Sequence, residues 1–375
     1  MKTLFFLLFA AVFNLCRIFP LRKNSVVFIS MHNAKFNDTL GFVREEIRKR
    51  NEYKCYSFSR TDIDLSKGIK SIGSALKFFT VNAFRMATAK YIFLNDNFMP
   101  MAYLNINKKA CVVQLWHAEG AFKKFGLDIN QPEEIRKREA KGYSKLSYVV
   151  CSSKGVAPIY AGAFGMEESR VLPLGAPRTD YYFRGVDAQK LRAEFDEKYP
   201  VCKDKKLVLY APTFRDDKEK NKELVKKLDI KAFNEKLNDE YVLLIRYHPQ
   251  VHEDGVNLDG AVDLTKYPNV NELILISDIL VTDYSSICMD FSMLDKPTLF
   301  YAYDLEEYAS DRQFYFDYEE YVPGAVVRTQ EELMRVLENH EYDLDKEKNE
   351  KFKNFNFDYT DGKSSQRVAD NILSR

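Results

Sequence analysis

The feature that most constrains this chain is a repeated alternation. Short runs of four to six almost wholly apolar residues each give way to a charged or amphipathic stretch. A continuous apolar run, rather than an every-other-residue pattern, predicts a strand buried on both faces, and the stretches between are the helices that cover a parallel sheet. One series predicts strands over 26–30, 91–94, 112–115 and 148–152, with helices over 39–49 and 132–143. VLPLGAPRTDYYF, 171–183, has two prolines and Gly175 and reads as a connector. A second series predicts strands over 206–210, 241–246, 279–282 and 298–301, with a charged helix over 218–227 among them. The expectation is an α/β protein of two doubly wound, Rossmann-like domains. Its segments are 1–23, a membrane-associating helix; 24–183 and 184–358, the two domains; and 359–375, a C-terminal helix.

With 375 residues and 46% hydrophobic content, the chain can bury two such cores. Its 56 basic and 55 acidic residues nearly cancel, so no whole-protein attraction to nucleic acid is expected and any anion must be bound locally. The six cysteines are scattered without a CxxC pair, which fits neither a zinc site nor a disulfide framework and favours a reducing setting. The run 4–13, LFFLLFAAVF, is interrupted by Asn14 and Arg17 and closed by Pro20, Arg22 and Lys23. It falls short of the roughly 20 apolar residues that span a bilayer. A secretory signal is the alternative, but no clear small-x-small cleavage site follows. The preferred reading is an in-plane helix whose basic neighbours meet anionic headgroups.

Ligands of doubly wound sheets bind beyond the carboxyl ends of the strands. The residues there are basic and hydroxylic: His117, then Thr213 and Arg215, then Arg246 and His248, then the stretch from Thr282 to Ser286. Paired glycosidase carboxylates, a Walker lysine loop, a GxGxxG turn and metal-ligand spacing are missing, so neither a metal nor a cofactor is expected. In SDILVTDYSSICMDF, 277–291, a strand runs into Asp283, Ser285 and Ser286 and then a helical pattern. Capping alone explains such residues, but two arginines and a histidine at neighbouring strand ends make a diphosphate site the fuller account. His117 suits a general base, since an ordinary imidazole is largely neutral at cytosolic pH. His248, before Pro249, suits a phosphate ligand better than a second base. His32, after the first strand, reads as a loop histidine rather than a substrate contact; His252 and His340 read as surface residues.

WHAEGAFKKFG, APTFRDD, RYHP, TDYSSICMDF and FYAYDLEEY, in this order, resemble the CDP-glycerol glycerophosphotransferase family of teichoic acid synthesis. The resemblance implies a GT-B-like fold, two Rossmann-like domains facing across a cleft, held peripherally on the cytoplasmic side of the cell membrane. It implies transfer of glycerol phosphate from CDP-glycerol to an undecaprenyl-diphosphate-linked disaccharide, N-acetylmannosaminyl-N-acetylglucosamine, with release of CMP. Ala118 and Glu119 after His117 resemble priming enzymes rather than polymerases, and so does the chain's modest length. A polyol-phosphate polymerase, a ribitol-phosphate transferase, a GT-B glycosyltransferase and a noncatalytic membrane protein are the alternatives. The expected catalytic residues are His117 and His248. The expected substrate-binding residues are Trp116, Arg178 (in the family's Gly-x-Pro-Arg connector), Pro212, Thr213, Arg215, Arg246, Ser277, Asp283, Ser285 and Ser286.

Overall fold

The computed structural model describes residues 2–31, 36, 38–63, 72–215, 217–248, 251 and 258–375. The chain divides into two units, the first made of 1–183 and 355–375 and the second of 184–354. Each is built on one six-stranded, all-parallel sheet with helices between most successive strands.

In the first unit the strands are β1 (Arg22–Ser30), β2 (Lys54–Ser59), β3 (Ala89–Leu94), β4 (Cys111–Gln114), β5 (Tyr148–Cys151) and β6 (Val171–Pro173), in the order β2-β1-β3-β4-β5-β6. Val26, Phe28, Tyr91, Phe93 and Val113 fill one face, and the helix Thr39–Lys49 closes it with Leu40, Val43 and Ile47. The last helix, Ser364–Leu373, completes the same core with Val368, Ala369 and Ile372. It is anchored at its start, where the buried Asp180 carboxylate accepts the Ser364 and Ser365 amides, each at 2.8 Å. That contact satisfies helix-start donors and matches the positive end of the helix dipole.

The second unit contains β7 (Lys206–Tyr210), β8 (Tyr241–Ile245), β9 (Val262–Asp263), β10 (Ile279–Thr282), β11 (Thr298–Tyr301) and β12 (Ala325–Val327), in the order β12-β11-β10-β7-β8-β9. The predicted central strands all form, their carboxyl ends within a residue of expectation, while β1 begins four residues and β3 two residues earlier than expected. The four strands that the apolar runs did not announce are β2, β6, β9 and β12, the edges of the two sheets.

The first helix, Lys2–Cys16, is part of the first unit rather than an appendage. Phe9 and Phe13 are buried, and the Phe9 ring stacks on Phe78 at 4.6 Å between centroids. Its other side is bare: Leu4, Leu7, Leu8 and Leu15 are exposed, as are Ile18 and Phe19 just beyond. Among the described residues, no helix is long and apolar enough to cross a membrane.

Candidate active site

The strand order of the first unit reverses between β1 and β3, and a buried polar network stitches the two strand ends there. Asn95, fully buried, donates from Nδ2 to Ser30 Oγ at 3.2 Å and to Asp38 Oδ2 at 2.5 Å, while its Oδ1 accepts the Met31 amide at 3.0 Å. This fixes the peptide carbonyl of Asn95, on which His117 leans from the end of neighbouring β4. His117 Nδ1 lies 3.3 Å from that carbonyl oxygen and 3.9 Å from Asp96 Oδ1. Both facing atoms are acceptors, so the arrangement is favourable when Nδ1 carries the hydrogen and Nε2 the lone pair. That is the tautomer a general base needs.

The approach to His117 is strained. Trp116 has φ of +58°, a left-handed conformation that costs a non-glycine residue about 1–3 kcal/mol. Gln114 holds it, accepting the Trp116 amide on Oε1 at 3.0 Å and donating from Nε2 to the Asp96 carbonyl at 3.2 Å. Stacking of the indole on Phe125, 5.2 Å between centroids, adds to the restraint. Gly126 in the same motif is a packing residue: it has φ of +59°, and a Cβ there would lie 2.2 Å from the Ala163 carbonyl.

Arg178 is paired across the unit with a residue of the His117 loop. Its guanidinium grips Glu119 with two hydrogen bonds, that from Nε being 3.0 Å, and Glu119 is only 5% exposed. A buried carboxylate needs such a partner. Arg178 and Glu119 therefore brace the loop after His117.

In the second unit the strand order reverses between β7 and β10, with β8 next to β7. Pro212 and Thr213 follow β7, Arg246 and His248 follow β8, and Ser285 and Ser286 follow β10. These segments are neighbours along one carboxyl edge. The His248 ring stacks on Phe214 of the β7 loop, 4.5 Å between centroids. Ser286 opens the helix Ile287–Met293 without a side-chain cap, and Ser285 Oγ accepts the Ile287 amide at 3.4 Å. Thr213 Oγ1 is buried with no hydrogen-bond partner among the described residues. Arg246 donates from Nη1 to the carbonyls of Leu264 and Tyr267 at 2.8 and 2.9 Å. Burial alone pulls its pKa below the ordinary arginine value, and no carboxylate among the described residues offsets this. A charge held at a strand end by carbonyls alone is suited to an anionic ligand.

Three further expected binding residues are Arg215, Asp283 and Ser277. Arg215 is buried between two carboxylates, with Nη1 3.0 Å from Asp283 Oδ2 and Nη2 2.9 Å from Asp304 Oδ2. Burial disfavours its charge, but Asp283 and Asp304 overcome this and leave its pKa raised. Asp283, 1% exposed, also accepts the Thr213 amide at 2.7 Å and so ties the β7 loop to the end of β10. Arg215 and Asp283 thus tie the loop after β7 to the end of β10. Ser277 precedes β10 and lies at the opposite edge of the sheet, where Lys296 Nζ donates to its carbonyl at 2.7 Å. Residues before a strand cannot share a site with residues after it. His32, His252, Pro249 and Asp216 lie outside the described residues. His340 is 51% exposed on its side chain, beside Glu240.

The residues missed by sequence reasoning are Asn95, Asp96 and Gln114. NDN at 95–97 directly follows an apolar run, which is the signal that was available. Among the described residues, no group of three or more His, Cys, Asp or Glu side chains is placed to hold a metal ion.

The family model for CDP-Glycerol:Poly(glycerophosphate) glycerophosphotransferase matches residues 11–374. The chain belongs to this family. It is 34% identical to the teichoic acid poly(ribitol-phosphate) polymerase of Bacillus spizizenii, over 98% of this chain and 59% of that protein. It is 32% identical to the teichoic acid ribitol-phosphate primase of the same species, over 96% of this chain and 93% of the relative. It is also 32% identical to the teichoic acid glycerol-phosphate primase of Bacillus subtilis, over 77% and 75%. The chain thus spans less than two thirds of the polymerase first named and nearly all of the ribitol-phosphate primase. The solved structure of the wall teichoic acid polymerase TagF superposes with a TM-score of 0.76 at 24% identity, covering 98% of this chain and 93% of that one. The fold is accordingly that of TagF, a GT-B-like pair of parallel-sheet units.

Proposed function

We propose that this family member transfers glycerol phosphate from CDP-glycerol to N-acetylmannosaminyl-N-acetylglucosaminyl-diphospho-undecaprenol, releasing CMP, as the priming step of wall teichoic acid synthesis. The observation that carries the reading is His117, presented at a strand end with Nδ1 turned to two acceptors. In the proposed reaction the acceptor hydroxyl gives its proton to His117 Nε2 and its oxygen attacks the β-phosphorus. The bond from that phosphorus to the CMP oxygen breaks, and CMP leaves with the electron pair. Arg246, His248, Ser285 and Ser286, with Pro212 and Thr213 shaping the wall, are assigned to the donor diphosphate. Trp116 and Asp96 orient the base.

A second reading has CDP-ribitol as donor, and what favours it is that two of the relatives named above are ribitol-phosphate enzymes. The decisive experiment incubates the protein with the lipid-linked disaccharide and either donor and resolves the products by mass. One added glycerol phosphate supports the proposal. A ribitol phosphate moves it to the second reading, and a ladder replaces priming by polymerisation.

Asp96→Asn is expected to lower kcat roughly 10- to 100-fold, the usual loss when the group behind a working histidine is weakened. Steady-state CMP release checks this, and the donor KM should stay within about twofold because the change lies in the other unit.

The bare side of the first helix supports peripheral attachment to the cytoplasmic membrane face. The exposed leucines, with Ile18 and Phe19, run into a groove lined by Lys23, Lys90, Lys108, Lys109 and Arg375. Apolar side chains next to several cations match an anionic lipid surface. Replacing Leu4 and Leu8 by Glu should reduce co-flotation with anionic vesicles at least about tenfold without unfolding, since both are exposed. Unchanged flotation would remove the proposal. Deleting 2–20 is a poorer test, because it also removes the buried Phe9 and Phe13.

A further inference from the structure

The second unit is inserted in the first, since the chain leaves after Phe183 and returns at Phe355. Directly after the return, Asn356 is fully buried and its Oδ1 accepts the Ala121 amide at 3.1 Å. The preceding amide, of Gly120, donates to the buried Ser152 Oγ at 3.1 Å. Two consecutive amides of the loop after His117 are thus taken by side chains of two other segments. Those segments are themselves joined, because the Asp358 amide donates to the Ser152 carbonyl at 3.2 Å and Ser153 Oγ donates to the Phe355 carbonyl at 2.5 Å. A Cβ on Gly155 would lie 2.5 Å from that Phe355 oxygen, so the two backbones approach as closely as glycine permits. On the other side of the loop, Tyr160 Oη lies 3.0 and 3.1 Å from the carbonyl oxygens of Ala118 and Gly120 and shares its hydrogen between them.

These contacts bear on the base because His117 stands between two left-handed residues, Trp116 with φ of +58° and Gly120 with φ of +65°. Glycine adopts that conformation freely. Tryptophan keeps it only where its surroundings hold the chain. Gln114 supplies the hold before His117, and Ser152 and Asn356 supply it after. Once Ala121 is released, Trp116 is free to relax toward the ordinary backbone regions, and the turn that aims the His117 ring opens with it. We propose that Asn356, together with Ser152, is a positioning residue for the transfer reaction, acting through the loop 118–121 on the direction of the His117 ring. This role rests on His117 being the base. It adds a residue that the strand-end pattern cannot announce, since Asn356 lies 235 residues from the amide it holds.

The test is a double-mutant cycle on the full-length protein, with Asn356→Ala and His117→Ala made singly and together. CMP release is followed with the lipid-linked disaccharide and CDP-glycerol or CDP-ribitol, well below the melting temperature of each variant. Asn356→Ala should lower kcat roughly 10- to 100-fold, the scale of a misplaced catalytic group, with the donor KM within about twofold. In the His117→Ala background the same change should cost less than about twofold, because no base remains to be misplaced. Trp116 is the chain's single tryptophan, and its emission should shift in Asn356→Ala, a signature that loss of stability elsewhere would not produce. Ser152→Ala should repeat the pattern with a smaller loss, and it carries the test if Asn356→Ala does not fold. An unchanged kcat, or the same loss with and without His117, makes Asn356 a packing residue only and overturns the proposal while the base stands. Full turnover by His117→Ala removes the base itself, and the positioning role falls with it.

Discussion

His117→Ala is expected to lower kcat by roughly 10³-fold, within the 10²- to 10⁴-fold that a positioned general base contributes. The donor KM should change little, because the residues assigned to CDP-glycerol all belong to the second unit. Loss of the base leaves positioning and phosphate neutralisation intact, so a residual rate should be measurable with excess enzyme. The control for misfolding is local. Trp116 carries a left-handed backbone restrained by Gln114 and Phe125, so unchanged indole fluorescence in His117→Ala shows that the loop has kept its form. Full turnover in the variant would remove His117 as the base, whatever the donor proves to be.

Arg215→Leu should be the most destabilising single substitution at the candidate site. The guanidinium is the shared partner of Asp283 and Asp304 and lies over the Tyr284 and Tyr308 rings, 5.3 and 4.9 Å from their centroids. Its removal leaves Asp283, 1% exposed, without its cation. Breaking a buried pair from one side typically costs about 3–5 kcal/mol. In a unit of this size that is a fall in Tm of roughly 10 °C. The measurement is thermal unfolding of the variant beside Arg246→Leu. If Arg246 contacts donor phosphate and Arg215 is a frame, Arg246→Leu should raise the donor KM with a much smaller change in Tm. A variant Arg215→Leu that melts like the wild type but loses donor affinity would restore Arg215 to the phosphate site.

The contrast between those arginines shows where sequence reading ends. Arg215 and Arg246 both follow buried strands, and nothing in APTFRDD or RYHP separates them. Asp283 and Asp304, distant in sequence, hold Arg215. Arg178 is likewise held by a residue distant in sequence, Glu119. Ser277 was drawn in by sharing a motif with Asp283, yet the four residues of β10 separate the two edges of the sheet. Asp96 and Gln114 went unnoticed because their importance lies in hydrogen bonds across strands.

What the sequence determined by itself was the architecture and the edge along which the candidate site residues lie. Central parallel strands are covered on both faces, which demands continuous apolar runs and makes them visible. The residues that end those runs then had to lie along the carboxyl edge. The sheet edges, β2, β6, β9 and β12, escaped because a strand with a neighbour on one side only can be short and partly polar. The tertiary structure alone decided which charged groups are consumed by partners and which are left to meet a substrate. That is a matter of pairing between segments 59 to 89 residues apart, and linear spacing does not encode it.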